Sequence, residues 1–237
     1  MNQQKLQERL DQNPFAKLSD VVADLLFDEI VSLRLSPSTK LNINNISKEL
    51  GISRTPVTEA INQLCSIGFV DVHPSASGYF VSALTMKELI SLYNARAAIE
   101  SEAAYLCAET ASYDVIAGLE NYASEYKRAL QRRDNQALKE VEMPFHRLII
   151  DNCENKYLQS CYEQILPTLT RYQNYYTEFI DTDVDNPWSP RCAHQHASIV
   201  AAIKMHMPEL ARQLMNEHIR TGISQAAFSY DNPIPIR

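Results

Sequence analysis

The sequence predicts a mainly α-helical protein built from two parts, a small N-terminal unit with three helices and two strands and a larger unit made of helices. Apolar residues recur at helical spacing along most of the chain. Only 5 of the 237 residues are glycine, whereas strand-rich folds depend on glycine in their turns. The alternation of apolar and polar residues that is typical of strands occurs in two short segments between residues 69 and 82.

Composition excludes several classes of protein. With 45% hydrophobic residues the chain can form packed cores. A formal net charge of −7 argues against a protein that coats nucleic acid or membranes by bulk electrostatics, although a local basic patch remains compatible with it. The five cysteines include no CxxC pair, the N-terminus has no apolar signal core, and no run approaches the roughly 18 apolar residues of a membrane helix. We therefore expect a reduced, cytoplasmic protein.

The first two helices are delimited by end signals. Apolar residues at helical spacing predict a first helix over residues 18–33, and Pro37 follows where that helix would stop. Asn42 is a suitable N-cap for a second helix of about two turns. Gly51 suits the C-terminal turn of this second helix.

The third helix begins with Ser-Arg-Thr-Pro. Ser53 can cap it, and Pro56 is tolerated because a first-turn amide has no intrahelical acceptor to lose. Its apolar stripe consists of Val57, Ala60, Ile61 and Leu64. Its other face is polar and carries Thr55, Thr58 and Asn62. After this helix, FVDVH and GYFVS alternate like strands around PSAS, a hairpin turn. This order of elements is that of a winged helix-turn-helix.

Residues 14–82 resemble the DNA-binding domain of GntR-type bacterial transcription regulators, through ISKELGISRTPVTEAINQLCSIGFV and the later GYFV. The resemblance implies that the third helix enters the major groove while the wing touches the adjoining minor groove. First-turn amides and the donor fork of Arg54 are suited to phosphate and base edges. The residues that we expect to contact DNA are Ser53, Arg54, Thr55, Thr58, Asn62 and, in the wing, Gly78.

Two departures from the family pattern concern DNA affinity. Thr58 stands where most members have arginine, and the wing carries HPSASG where arginine or lysine is common. Residues 14–82 contain five basic and seven acidic residues, a net charge of −2. Because each phosphate contact adds affinity and salt dependence, we expect binding to depend on dimerisation and on low to moderate salt.

The second half of the chain predicts six or seven amphipathic helices, over residues 85–109, 112–132, 135–151, 155–180, 189–206 and 208–228. Glu142 and His146 are four residues apart, which places a carboxylate and an imidazole on one helix face. Pro208 begins a new helix, so the chain should reverse near Met207. His196 and His218 are each eleven residues from that turn and would lie at the same level of an antiparallel pair.

Three imidazoles and one carboxylate favour a divalent transition metal, Zn²⁺ first and Ni²⁺, Mn²⁺ or Fe²⁺ as alternatives. The predicted ligands are Glu142, His146, His196 and His218. The alternative is that these histidines are ordinary core residues. Cys192 is a further soft donor nearby, and His194 and His206 are expected to face solvent.

Residues 85–230 resemble the FCD ligand-binding domain, through LYNARAAIESEAAYLCAE, EMPFHRLIIDNCEN and two histidines 22 residues apart. The resemblance implies the same metal ligands, with Glu142 in place of the usual aspartate, while Pro144 could kink the helix between Glu142 and His146. It also implies that Arg96 grips a small carboxylate effector, unless Arg96 pairs with Glu100 along its helix. Asn155 is expected to cap a helix. Three tyrosines are candidates for packing or for the pocket: Tyr172, Tyr175 and Tyr176.

The two halves together predict a homodimeric transcription regulator with an N-terminal arm (residues 1–13), a winged helix-turn-helix (14–82) and a helical effector-binding and dimerisation domain (85–230). It would bind a pseudo-palindromic operator in double-stranded DNA, respond to a small organic acid and have no membrane partner. Repression relieved by the ligand is expected, with activation as the alternative. Two other functions remain open, a metal-dependent hydrolase or lyase that uses the same cluster, and a regulator whose metal is purely structural.

Overall fold

The computed structural model describes residues 2–73, 78–179 and 188–230, without the side chains of 176–179, 188–189 and 224–230. The chain folds into two compact units, Met1–Leu84 and Thr85–Arg237. The fold class predicted from the sequence is confirmed, since the first unit is a winged helix-turn-helix and the described part of the second is entirely helical. None of the described helices has the length and hydropathy that crossing a membrane requires.

The N-terminal unit contains four helices and three strands among the described residues: α1 Gln3–Gln12, α2 Leu18–Val31, β1 Lys40–Leu41, α3 Ile43–Leu50, α4 Arg54–Ser66, β2 Val70–His73 and β3 Gly78–Val81. Helix α2 ends two residues before the predicted boundary, and Leu33 has a left-handed φ of 61°. The Asn42 side chain caps α3 by accepting from the amides of Asn44 and Asn45. Gly51 ends α3 with a φ of 67°, a backbone conformation that glycine adopts without steric penalty.

Helix α4 buries the predicted apolar stripe. Val57, Ala60 and Ile61 are fully buried, and Leu64 is almost so. The expected cap at Ser53 is wrong in its detail, because Ser53 occupies the N-cap position but its side chain accepts no hydrogen bond from the helix. Pro56 lies in the first turn of α4, where a missing N–H costs no intrahelical hydrogen bond.

The wing belongs to a three-stranded antiparallel sheet in the order β1-β3-β2. Strand β1 was not predicted, because a strand of two residues offers no alternation to detect. In the register, Lys40 is opposite Phe80 and His73 is opposite Gly78. The predicted hairpin turn at residues 74–77 lies outside the described residues.

Most of the predicted N-terminal arm forms helix α1. Leu6 is buried in the core of the N-terminal unit. Lys5 Nζ lies 3.6 Å from Glu29 Oε1, and Arg9 pairs with Asp28. Helix α1 is therefore packed onto α2 as part of the same compact unit.

The described helices of the C-terminal unit begin and end within two residues of their predicted boundaries: α5 Met86–Thr110, α6 Tyr113–Arg132, α7 Asn135–Asp151, α8 Lys156–Phe179, α9 Trp188–Lys204 and α10 Pro208–Tyr230. Helix α7 continues through Pro144. Asn155 caps α8 as expected, since its Oδ1 accepts from the amides of Tyr157 and Leu158.

Helix α5 is the central element of the C-terminal core and packs most extensively against α10. Its buried side consists largely of small residues, which let a neighbouring helix approach closely: Ala97, Ala103, Ala104, Cys107 and Ala108. A Cβ added at Gly222 of α10 would lie 2.5 Å from Cε1 of Tyr93 on α5. The absence of a side chain at Gly222 therefore allows the close approach of the two helices.

Candidate metal and DNA-binding sites

Four potential metal ligands from three helices converge in the C-terminal unit. Glu142 and His146 come from α7, His196 from α9 and His218 from α10. One donor atom from each lies within 4.8 Å of all the others. The helical hairpin of α9 and α10 brings His196 and His218 to the same level. The structure thus places together the four residues that the sequence singled out.

The distances fit a single ion. His218 Nε2 lies 3.2 Å from Nε2 of both His146 and His196. With metal–nitrogen bonds of about 2.1 Å, this separation corresponds to an angle of about 100° at the metal, between the octahedral and tetrahedral values. Glu142 Oε1 lies 3.3 Å from His146 Nε2, and Oε2 lies 3.5 Å from His196 Nε2. Neither the longer side chain of Glu142 nor Pro144 keeps the donors apart.

Two of the three histidine rings, those of His146 and His218, have a polar group close to Nδ1. His146 Nδ1 lies 2.6 Å from Glu100 Oε2 on α5. His218 Nδ1 lies 3.2 Å from Gln195 Oε1, while Gln195 Nε2 donates to Thr221 Oγ1 at 3.1 Å. A proton on each Nδ1 leaves the Nε2 lone pair for the centre of the cluster. Lone pairs 3.2 Å apart repel one another unless a cation or a proton lies between them, so the donor set fits a metal ion.

Aromatic rings enclose His196. The Tyr126 ring meets it edge-on at a centroid distance of 4.7 Å, and the Phe145 ring lies at 4.4 Å. His146 and His196 are fully buried and His218 is almost so, whereas the Glu142 side chain keeps 22% of its surface exposed. Of the four potential ligands, Glu142 is therefore the one most exposed to solvent.

Burial and mutual interaction set the charges in the cluster. Burial lowers the pKa of His196 to about 4, against the attraction of Glu142. Burial, together with His196 and His146, also holds the pKa of His218 well below its usual value. For Glu142, burial raises the pKa, but His196 and His146 outweigh burial and keep it well below its ordinary range. Burial likewise lowers the pKa of His146, but Glu100 outweighs it and leaves the pKa raised.

Arg96 lies on the same face of α5 as Glu100 and is buried. Its Nε donates to Glu100 Oε1, so the pairing predicted as the alternative role of Arg96 is present. Nη2 of Arg96 is also buried but has no hydrogen-bond partner among the described residues, and the same holds for the hydroxyl of Tyr162. The Tyr93 ring lies beside the guanidinium, 5.4 Å from Cζ to the ring centroid. The ion pair with Glu100 therefore leaves part of the Arg96 donor fork unused.

Other candidates lie outside this cluster. Cys192 is buried but does not belong to the group of converging donors. His194 is exposed, and His206 Nδ1 lies 2.8 Å from the carbonyl oxygen of Ala108. Tyr172 donates to Glu88 Oε2 and holds the start of α5, which is a packing role. The side chain of Tyr176 lies outside the described residues.

The DNA-binding residues predicted on α4 lie on its outer face. Ser53, Arg54, Thr55 and Asn62 are exposed, and Thr58 is half-buried. Thr58 Oγ1 donates to the carbonyl oxygen of Arg54 at 3.0 Å, and Asn62 Oδ1 accepts from the Tyr79 hydroxyl of β3 at 3.1 Å. Gly78 begins β3 with a φ of 155°, and a Cβ there would lie 3.0 Å from Cε of Lys40.

Comparison with known proteins agrees with both halves of this picture. Residues 18–81 match the family of bacterial regulatory proteins called the gntR family, and residues 91–221 match the FCD domain. The chain belongs to the FCD-containing gntR family. This gntR-family protein is a DNA-binding transcription regulator and not an enzyme, which removes the hydrolase or lyase alternative.

Relatives of this gntR-family chain are similar over most of its length. It is 23% identical over 208 residues to the transcriptional repressor RspR of Escherichia coli, covering 88% of each chain. It is 24% identical over 212 residues to a probable D-xylose utilization operon repressor of Paenarthrobacter nicotinovorans, again covering 88% of each. The solved structure of E. coli McbR/YncC shares the fold, with a TM-score of 0.68, 22% identity, and coverage of 91% of this chain and 100% of that one.

Sequence reasoning missed three residues of the two sites in this gntR-family regulator. Glu100 was considered only as a partner of Arg96, whereas it also contacts His146. Gln195 and Tyr79 contact site residues that are remote in the sequence, His218 and Asn62. A polar residue on an otherwise buried helix face was the available signal for Glu100, but nothing in the sequence indicated the other two.

Proposed function

We propose that this protein is a cytoplasmic, homodimeric repressor of transcription that binds a pseudo-palindromic operator through α4 and the wing. Its C-terminal unit holds a divalent metal, Zn²⁺ first, and a small organic acid that weakens DNA binding. The observation that carries the sensing half is the convergence of Glu142, His146, His196 and His218 at distances suited to one ion. The similarity to RspR of E. coli, which is a transcriptional repressor, supports the sign of regulation.

The metal would be held by three neutral imidazoles and one carboxylate. With Glu142 ionised and the depressed pKa values of His196 and His218, two imidazoles need not lose a proton at neutral pH. Four protein ligands leave room for one or two others on an ion that accepts five or six. When bound, the ion supplies a Lewis acid to which one oxygen of a carboxylate can bind.

Arg96 would bind the other end of that carboxylate. Its Nη2 group is buried without a described partner, and burial of an unpaired donor costs about 1 to 3 kcal/mol. A carboxylate that accepted from Nη2 would remove this penalty and form a charge-assisted hydrogen bond. The effector class that satisfies both Arg96 and a metal is therefore a small organic acid.

Regulation requires that metal and effector favour one arrangement of the dimer over another. A ligand changes DNA affinity only through its differential affinity for two states. A typical coupling free energy of about 1 to 3 kcal/mol gives roughly a 5- to 150-fold change in operator affinity. Because the N-terminal unit has few basic residues, a change of this size should suffice to release the operator at moderate salt.

The proposal is tested first by metal content. The double variant His196→Ala/His218→Ala should lose the bound ion in elemental analysis, because two of four ligands are removed. His194→Ala is the matched control, since His194 is an exposed residue of α9 outside the cluster. A full equivalent of metal in the double variant would refute the proposed ligand set.

The DNA-binding half is tested separately. Selection of genomic fragments by the purified chain should recover pseudo-palindromic sites, and Arg54→Ala should weaken binding to them by about 1 to 3 kcal/mol. Gel shifts with metal, and then with metal plus small mono- and dicarboxylic acids, test the effector. If metal raises the melting temperature but no acid changes the melting temperature or DNA affinity, the metal is structural. The Arg96–Glu100 pair is the observation that favours this second possibility.

A further inference from the structure

The outer face of helix α4 carries a row of three residues separated by one turn each, the exposed Arg54 and Asn62 with the half-buried Thr58 between them. Asn62 is the only amide in this row. Its Oδ1 accepts a hydrogen bond of 3.1 Å from the hydroxyl of Tyr79, which lies on strand β3 of the wing. The wing thus contacts the end of the row farthest from the start of the helix.

Two polar side chains of α4 near Asn62 are occupied within the protein. Gln63 Nε2 donates to Asp20 Oδ1 on α2 at 2.8 Å, which draws this amide toward α2. Thr58 Oγ1 donates its only hydrogen to the carbonyl oxygen of Arg54. Asn62, in contrast, uses one lone pair of Oδ1 for Tyr79 and keeps its Nδ2 hydrogens and a second lone pair.

These remaining groups match one base. In the major groove adenine presents an N7 acceptor and an N6 donor, and an asparagine amide bonds to both at once. The amide must place Nδ2 toward N7 and its oxygen toward N6. A hydroxyl that donates to Oδ1 distinguishes the two ends of the amide and restricts its rotation. Tyr79 is therefore placed to orient Asn62 before DNA is bound.

We propose that Asn62, positioned by Tyr79, contacts an adenine in each operator half-site, and that this A·T pair is a specificity determinant of the protein. The inference rests on the proposed operator binding through α4. Eight residues separate Arg54 from Asn62, a rise of about 12 Å along the helix. For a helix lying along the groove, this length corresponds to about three to four base-pair steps of about 3.4 Å. The Asn62 adenine should lie that far from the base pair nearest Arg54.

The test is selection from random DNA by the full-length chain and its variants, followed by competition between the best site and single-base changes. Wild type should prefer adenine at one half-site position by roughly 5- to 150-fold, the range of a good bidentate contact. Asn62→Ala should lose the adenine preference and keep the preferences at all other positions. Tyr79→Phe should reduce the preference several-fold while the remaining positions keep theirs. Gln63→Ala is the matched control and should keep the wild-type preference.

The outcomes separate this inference from the proposed function. If wild type selects no sequence, operator binding itself is refuted. If wild type selects a half-site whose preferences are unchanged in Asn62→Ala, the inference fails while operator binding stands. If Gln63→Ala loses the adenine preference and Asn62→Ala keeps it, Gln63 rather than Asn62 contacts the adenine, and the inference fails. If Tyr79→Phe prefers adenine as strongly as wild type does, Tyr79 does not orient Asn62.

Discussion

Glu100 connects Arg96 to His146 inside the C-terminal unit. One carboxylate oxygen accepts from Arg96 Nε, and the other lies 2.6 Å from His146 Nδ1. Arg96 and His146 hold the pKa of Glu100 below its ordinary value although burial raises it. A residue that is not itself among the four converging donors thus orients a proposed metal ligand and a proposed effector contact at the same time.

Replacing Glu100 by glutamine should weaken metal binding about 10- to 100-fold, the usual effect of changing the polar group behind a metal ligand. The variant keeps the size of the side chain but loses the charge that fixes His146. Zn²⁺ affinity measured by competition with a chromophoric chelator checks this. Glu102→Gln is the control, because Glu102 pairs with Arg212 on the half-exposed side of α5. Equal affinities in the two variants would contradict the role of Glu100.

Acidification should destabilise the metal-free protein between about pH 6.5 and pH 4. The pKa of His196 is about 4 in the folded protein against an ordinary value of 6.5. Between these two pH values the unfolded chain therefore binds a proton at His196, whereas the folded protein does not. Full protonation of this one group costs about 3 kcal/mol of unfolding free energy. His218 acts in the same direction, and His146, whose pKa is raised, opposes it.

Urea unfolding of chelator-treated protein across this pH window measures the effect. His196→Asn should flatten the pH dependence by removing one of the two depressed imidazoles. His194→Asn, at an exposed position of the same helix, should leave it as in wild type. An unfolding free energy that does not change from pH 7 to pH 4.5 would show that these imidazoles are not buried in uncharged form.

Substitution of Gly222 by alanine should destabilise the C-terminal unit by about 1 to 3 kcal/mol through overpacking. The new methyl group would lie 2.5 Å from the rigid ring of Tyr93. Gly118→Ala is the control, because there the contact is a terminal methyl of Leu148 at 2.8 Å, which can rotate away. Both glycines lie inside helices, so the helix-propensity gain of about 1 kcal/mol from alanine is common to the two variants. Thermal unfolding compares the two, and an equal or greater loss in Gly118→Ala would contradict the packing described.

Truncation of Leu6 to alanine should destabilise the N-terminal unit by about 2 to 4 kcal/mol, since the side chain is buried against the core. Leu10→Ala should cost less, because Leu10 is only partly buried. Chemical unfolding of both variants tests whether α1 is an integral part of the unit. If Leu6→Ala unfolds like wild type, α1 does not contribute to the fold.

Much of this fold was predictable because its signals are local. Helical spacing and end signals such as Asn42, Gly51 and Pro208 placed helices within a few residues of their observed limits. The site could be anticipated in the same way, since Glu142 and His146 are one turn apart and His196 and His218 are symmetric about a predictable turn. Both inferences need only the geometry of one helix or of one helical hairpin.

The features that were missed depend on contacts between distant parts of the chain. The pairing of Glu100 with His146 and of Tyr79 with Asn62 depends on how whole helices and strands pack together. The spacing of residues along the sequence does not predict such contacts. Helix α1 is largely polar and is anchored to the core mainly through one buried leucine, Leu6, so it lacks the apolar stripe that marks other helices. The two residues of β1 form a strand because they pair with β3, and their own sequence carries no strand signal.

Neighbouring residues of α9 touch opposite ends of one ring. Gln195 approaches Nδ1 of His218, and His196 approaches Nε2 of the same imidazole, each at 3.2 Å. A twist of α9 about its long axis would therefore disturb both contacts together. The orientation of the His218 imidazole thus depends on how α9 is rotated against α10.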